Sequence, residues 1–355
     1  MTRSLALLLL LFLSGPLFSQ HKTQNVVLIT LDGMRWQEVF GGAVDSLMLN
    51  REFVEDTAGL YAQFSAATPA QRREKLMPWF WSTLQQKGQL YGNRWLGNQV
   101  NVSNKHWFSY PGYNEILTGF ADPRIHSNDK VENPNVTVLE WLNQQPDFRG
   151  KVAAFGSWDV FPYIVNEKRS GVPVNAGFET ATGSGLSDKE RFLNELQPEI
   201  PSPWGSVRLD AFTHHYALEY MKRQHPRVVY IAYGETDDFA HGGHYDQYLR
   251  SAQRTDAFIK ALWDYVQSDP FYAGNTTFLI TTDHGRGSTR DGWKHHGTDH
   301  PGADAIWFAM IGPDTPAKGE MKTQGQWWQN QFASTLASLL GKQYSNKQAV
   351  GKPIP

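Results

Sequence analysis

Cysteine is absent from all 355 residues. The chain therefore has no disulfides and no cysteine for lipid attachment, and its stability has to come from a packed core. Long apolar runs are scarce as well: residues 5–13 form one, shorter than the roughly 20 residues a bilayer-spanning helix needs. No charge sign dominates, because 33 Lys and Arg stand against 35 Asp and Glu for a formal charge of −2. Basic runs and basic amphipathic helices are missing, which argues against a nucleic-acid groove or a membrane-binding patch. Repeats and low-complexity tracts are missing too. What the chain has in quantity is aromatic residues, 13% of the total with 13 Trp, most of them suited to core and cap packing.

The first twenty residues read as a leader. Arg3 precedes the apolar run, and Ser14, Gly15 and Pro16 lead into a short polar tail ending at Ser19-Gln20. This is the layout of a secretory signal peptide. The protein is therefore expected to be exported, to a periplasm or beyond, with no transmembrane segment once the leader is removed. Loss of Arg3 takes the charge from −2 to −3. Residues 21–355 are long for one domain but within range for a large α/β fold.

The chain is organised around residues 277–300, TFLITTDHGRGSTRDGWKHHGTDH. The β-branched, apolar start reads as a buried strand. It ends in Asp283-His284-Gly285 and a polar loop carrying His295, His296 and His300. Residues 25–31 (NVVLITL) repeat the pattern and end in Asp32-Gly33, where the glycine permits a sharp turn. Residues 227–233 (RVVYIAY) repeat it again and lead into Glu235, Asp237, Asp238 and His241. Each such ending has an ordinary reading, as a cap or a solvated loop. Three in one chain, linked by a histidine-rich loop, are hard to assign to capping. In a mostly parallel sheet the three ends lie along one edge, where α/β sheets bind ligands. Asp237 and His241, four apart, share one side of a helical turn. Imidazole with carboxylate selects zinc or a related transition ion over magnesium or calcium. Three protein ligands per ion leave an open position on each of two ions.

Elsewhere, residues 109–119 (SYPGYNEILTG) place a serine before a Pro-Gly turn and a short helix ending near Gly119. That hydroxyl is either a plain helix cap or a group held near anion-favouring N–H groups. Residues 40–106, with a helical piece near 71–86, and residues 166–206, with a short helix near 188–196, read as surface or cap insertions. Residues 136–144, 209–223 and 245–266 are helical in pattern; 151–155 and 305–311 read as strands. Trp328, Phe332, Leu336 and Leu339 predict a C-terminal helix packed on the sheet. Together these predict a three-layer α/β/α sandwich with a mostly parallel central sheet and inserted caps.

The ordered motifs LDG (Asp32), SYPGYNEILTG (Ser109), ETDDFAH (Asp237, His241), TTDHG (Asp283, His284) and HG (His296) resemble the alkaline phosphatase superfamily. The resemblance is nearest to its nucleotide pyrophosphatase/phosphodiesterase-like and related phosphomonoesterase branches, and spans nearly the whole mature chain. It implies that Asp237, His241 and His296 hold one zinc while Asp32, Asp283 and His284 hold the other. Ser109 would take the nucleophile's place between the two metals, and hydrolysis would run through a phosphoserine. A side-chain amide would steady a nonbridging oxygen, with Asn128 placed ahead of Asn133. The implied substrate is a small-molecule phosphate ester, mono- or diester.

Some positions depart from that pattern. Monoester-selective relatives can carry a Lys-x-Arg pair where this chain reads Ser157-Trp158-Asp159, so Lys105, Arg286 or Lys294 would have to stand in. His300 is an alternative to His296, although only His296 precedes a glycine; His295 reads as a substrate or supporting contact. A sulfatase would need Arg at Tyr113 and a calcium shell with fewer histidines. Phosphonate hydrolysis, phosphoglycerol transfer and a catalytically silent metal-binding relative complete the alternatives.

Overall fold

The computed structural model describes residues 21–355; the leader read at 1–20 lies outside the described residues. In chain order the strands are β1 (Asn25–Leu31), β2 (Gln89–Tyr91), β3 (Asn98–Asn101), β4 (Val152–Gly156), β5 (Val174–Ala176), β6 (Val228–Tyr233) and β7 (Thr276–Thr281). They continue with β8 (Ala305–Ile306), β9 (Phe308–Ile311), β10 (Gly319–Glu320) and β11 (Gly325–Trp328). Eight make a central sheet in the order β10-β2-β9-β7-β1-β6-β4-β5, and β11-β3-β8 form a small second sheet. From β7 to β5 the pairing is parallel, while β9 runs antiparallel to both β7 and β2. The mostly parallel sheet matches the expectation.

The apolar runs explain its centre. Along β1, Val27, Ile29 and Leu31 enter one core and Val26 and Leu28 the other, so both faces need a cover. Helices Asp210–Gln224 and Tyr245–Ser268 pack on the first face; Ser109–Thr118 and Phe332–Leu339 pack on the second. Each fully buried aliphatic side chain contributes about 1.5–3 kcal/mol against its loss of freedom. Strands β7, β1 and β6 are neighbours in register, Thr30 opposite Thr281 and Leu31 opposite Tyr233. Their C-terminal ends therefore finish side by side.

Several expectations change. Residues 40–106 are not all surface insertion, because β2 enters the central sheet and β3 the second one. Residues 166–206 likewise supply the edge strand β5. Strands of three or four residues are too short to show an alternating pattern. The run 305–311 is interrupted at Trp307, whose Nε1 donates to the Met34 carbonyl at 2.9 Å, and its two halves serve different sheets. Pro111-Gly112 make no separate turn: both lie in the first turn of Ser109–Thr118, where proline's missing N–H has no helical partner to lose. Trp328 closes β11 rather than joining the final helix, which starts at Phe332.

Candidate metal centre

Three adjacent strand ends supply most of the site. β1 ends in Asp32, β7 leads to Asp283 and His284, and β6 leads to the helix Glu235–His241 with Asp237 and His241 one turn apart. The loop beyond β7 brings back His296. Between these groups the chain reverses at Gly33, at φ +59°, where an added Cβ would stand 2.7 Å from Asp237 Oδ1 and 3.2 Å from His284 Cε1. Only glycine meets both the dihedral and the space.

The six side chains fall into two groups, Asp32/Asp283/His284 and Asp237/His241/His296, each with its potential ligand atoms within 4.8 Å of one another. In the first, His284 Nε2 lies 3.3 Å from Asp32 Oδ1 and 3.4 Å from Asp283 Oδ2. In the second, His241 Nε2 lies 3.2 Å from Asp237 Oδ2 and 2.9 Å from His296 Nε2. The groups adjoin, with His284 Nε2 3.7 Å from Asp237 Oδ1. The first is fully enclosed, whereas His241 is 42% exposed.

Two details test whether cations fit. Asp32 Oδ1 and Asp283 Oδ2 are buried without a hydrogen-bond partner, and they are the oxygens nearest His284 Nε2. Their sister oxygens are satisfied, Asp32 Oδ2 by the Tyr113 hydroxyl at 2.7 Å and Asp283 Oδ1 by Gly33 N–H at 3.1 Å. His284 Nδ1 donates to the Gly285 carbonyl at 2.8 Å, which leaves Nε2 with a lone pair to offer a cation. Donor-free lone pairs converging away from water are what a small cation satisfies.

The charges agree. Burial and then Asp237 push the Asp32 carboxyl well above its usual range; burial and then Asp32 do the same to Asp283. Burial also presses on Asp237, but Arg286, His241 and His296 outweigh it and hold this acid well below the usual range. Burial, with His284 beside it, pushes His296 down to about 2, so it is neutral and can ligate.

Ser109 is the first residue of Ser109–Thr118, with its Oγ 3.4 Å from His284 Nε2. The same helix is pressed on the metal bed: Tyr113 reaches Asp32, and a Cβ on Gly112 would stand 2.3 Å from the Asp283 carbonyl oxygen. Asn128 Oδ1 accepts from Tyr110 N–H at 3.0 Å, beside the serine. Asn133 is elsewhere, fully buried and donating to Asn114 Oδ1 and the Ile164 carbonyl. His296, not His300, joins a group; His300 stacks on His295 with centroids 5.1 Å apart.

The three cations weighed as stand-ins part company. Arg286 is buried and donates to Asp237 Oδ1 at 2.7 Å, to the Asp237 carbonyl at 3.1 Å and to the Trp293 carbonyl at 2.9 Å. Its role is to anchor Asp237, which the motif DHGR alone does not reveal. Lys294 Nζ lies 5.1 Å above the Phe53 ring. Lys105 is exposed and lines a cavity of about 480 Å³ with Trp107 and Trp328. At the missing Lys-x-Arg position Asp159 pairs with Lys130 at 2.7 Å. In the sequence Tyr113 stands out only as a residue that is not Arg, although its spacing of four from Ser109 already places it on the serine's helix face.

A sequence profile described as the metalloenzyme superfamily matches residues 172–340, the part that holds Asp237, His241, Asp283, His284 and His296. The wild-type alkaline phosphatase PafA has a similar structure, with a TM-score of 0.58 at 12% identity over 94% of this chain and 98% of that one. Over residues 172–340 the chain matches the metalloenzyme superfamily, and its overall fold is that of the alkaline phosphatases. Other superfamily folds are equally distant in sequence. The lipoteichoic acid synthase LtaP from Listeria monocytogenes aligns with a TM-score of 0.55 at 12% identity, over 92% of this chain and 74% of that one. BT1596, a 2-O GAG sulfatase, gives 0.55 at 12%, over 93% and 73%. No curated protein sequence matches. The superfamily comprises hydrolases and transferases acting on phosphate and sulfate esters. Among the described residues no helix is long and apolar enough to cross a membrane.

Proposed function

We propose that this protein is an exported phosphoric ester hydrolase in which Ser109 Oγ attacks phosphorus and a phosphoserine is then hydrolysed. The observation that carries this reading is the Ser109 hydroxyl, 3.4 Å from His284 Nε2, beside two three-ligand groups. Asp237, His241 and His296 would hold one divalent ion and Asp32, Asp283 and His284 the other, zinc by the mixed nitrogen and oxygen donors. When bound, such ions supply Lewis acidity at the ester oxygens and favour ionisation of a serine hydroxyl. The chain's own part is placement. Tyr113 and Gly112 fix the serine's helix on the ligands, and Arg286 holds Asp237 ionised. Asn128, its Oδ1 engaged by Tyr110 N–H, would have its Nδ2 left to donate to a nonbridging oxygen. Three carboxylates (−3), two divalent ions (+4) and Arg286 (+1) sum to +2, which attracts an anionic ester.

Diesters are the favoured substrate class. The Lys-x-Arg pair is missing, Arg286 is committed to Asp237 and Lys294 lies over Phe53, so the extra charge of a monoester dianion gains little. Tyr113 donating to Asp32 occupies the position where a sulfatase would need arginine, which disfavours sulfate esters. Turnover of an aryl diester, an aryl monoester and an aryl sulfate by zinc-loaded protein and by Ser109→Ala tests the reading. The expected order is diester first, with the variant slower by about 10³-fold or more at unchanged metal content. Equal rates for the two proteins would remove Ser109 from the chemistry; a sulfate preference would overturn the substrate class. A mature N-terminus near residue 21 on protein recovered outside the cytoplasm checks the export.

A further inference from the structure

Behind the second ligand group two helix N-termini meet. The helix Glu235–His241 is preceded by Gly234, and the helix Asp210–Gln224 by Leu209; neither receives a side-chain cap from its own preceding residue. Each is capped by the other instead. The Asp210 carboxylate accepts from Gly234 N–H at 2.8 Å and Glu235 N–H at 3.2 Å. The Glu235 carboxylate accepts from Asp210 N–H at 2.9 Å. Both acids are 1% exposed. Ser157, just past β4, donates to Asp210 Oδ1 at 2.6 Å and lies 2.8 Å from Thr213 Oγ1, which accepts from the buried Arg208 Nε at 2.8 Å. Arg254 approaches Glu235 Oε2 at 3.6 Å.

Capping alone does not require this arrangement. One serine at position 234 would serve the short helix, whereas two neighbouring carboxylates shut away from water repel each other and pay for desolvation. What the pair adds is direction. The capped turn comes two residues before Asp237 and six before His241, so its orientation sets where both project. We propose that Asp210 and Glu235 are positioning residues whose reciprocal capping aims Asp237 and His241 at their metal ion. Asp210 is the larger contributor, since it fixes two N–H groups of the ligand turn while Glu235 fixes the partner helix. The inference rests on the two-metal reading above.

The test compares zinc retention in wild type, Asp210→Asn, Glu235→Ala and Glu235→Gln, dialysed against graded chelator and assayed by elemental analysis, with Tm recorded in parallel. Wild type is expected to hold two equivalents. Asp210→Asn keeps one acceptor oxygen and turns an N–H₂ toward the other amide, so one equivalent should leave at about tenfold lower chelator, as for supporting-residue substitutions at other sites. The second equivalent should stay as in wild type. Turnover lost by this variant should return with excess zinc. Glu235→Gln keeps its acceptor and should match wild type, while Glu235→Ala should release the same equivalent early, by a smaller factor than Asp210→Asn. Should Asp210→Asn fail to fold, the Glu235 pair decides, since a positioning role predicts early release of one equivalent from Ala but not from Gln, whereas a structural role moves Tm alone. Simultaneous loss of both equivalents, or wild-type retention despite a lowered Tm, would show a merely structural role and overturn the inference. A wild type that binds no metal would overturn the metal reading itself, and this inference with it.

Discussion

Tyr113→Phe isolates one bond at the metal bed. The phenol donates to Asp32 Oδ2 at 2.7 Å, both partners being buried, and Phe keeps the ring that packs against Phe161 at 4.8 Å. No cavity opens, so the loss is that of one hydrogen bond to a charged acceptor, about 1.5–3 kcal/mol. Without it, both oxygens of Asp32 lack a donor, because Oδ1 has none already. The hydroxyl also favours the ionised carboxylate against burial and Asp237. Removing it raises the Asp32 carboxyl further, and only the ionised form binds a cation. The variant should therefore take up its inner metal with about tenfold lower affinity, and the pH at which it loads should move upward. Chelator competition run across pH reads both effects, and the Asp237 group should be unchanged. Wild-type affinity with an unmoved or lowered loading pH would refute the reasoning that Tyr113 holds Asp32 in its ligating state.

Other consequences are open to simple assays. Stripping metal should abolish turnover and lower Tm, and zinc should restore both where magnesium does not; full activity after exhaustive chelation would refute the two-metal reading. Asp256, midway along the helix Tyr245–Ser268, accepts from Trp79 and Phe80 N–H at 2.8 and 3.0 Å while burial pushes its carboxyl up to about 7. Its folded value exceeds the unfolded one of about 3.9, so the folded state binds the extra proton and stability falls as pH rises from about 4 to about 7. Asp256→Asn should flatten that part of the stability profile measured by denaturant titration, and an unchanged slope would refute the assignment.

The strand-terminal acids could be read from the sequence because a fully buried parallel strand is a continuous apolar run, and an acid at its end stands out. Asp32, Asp237 and Asp283 each follow such a run, and β7, β1 and β6 prove to be neighbours. The helical periods read at 209–223 and 245–266 are equally visible and correspond to Asp210–Gln224 and Tyr245–Ser268. The short strands β2 and β5 were not, since three residues carry no period. Arg286, Tyr113, Asp210 and Glu235 act across 49, 81, 24 and 25 positions of chain. Pairings over such separations leave no local pattern, so a polar residue in a helix or loop looks the same whether it props a ligand or faces water.

The stitching of β2 and β5 into the sheet has a consequence for how this protein can diverge. Together with β3 in the second sheet, β2 ties residues 40–106 down, and β5 ties residues 166–206 to the sheet edge, so loops between these strands can lengthen, shorten or change chemistry without dragging on β7, β1 and β6. Sequence change can thus collect in those loops while Asp32, Asp237 and Asp283 keep their places at the strand ends.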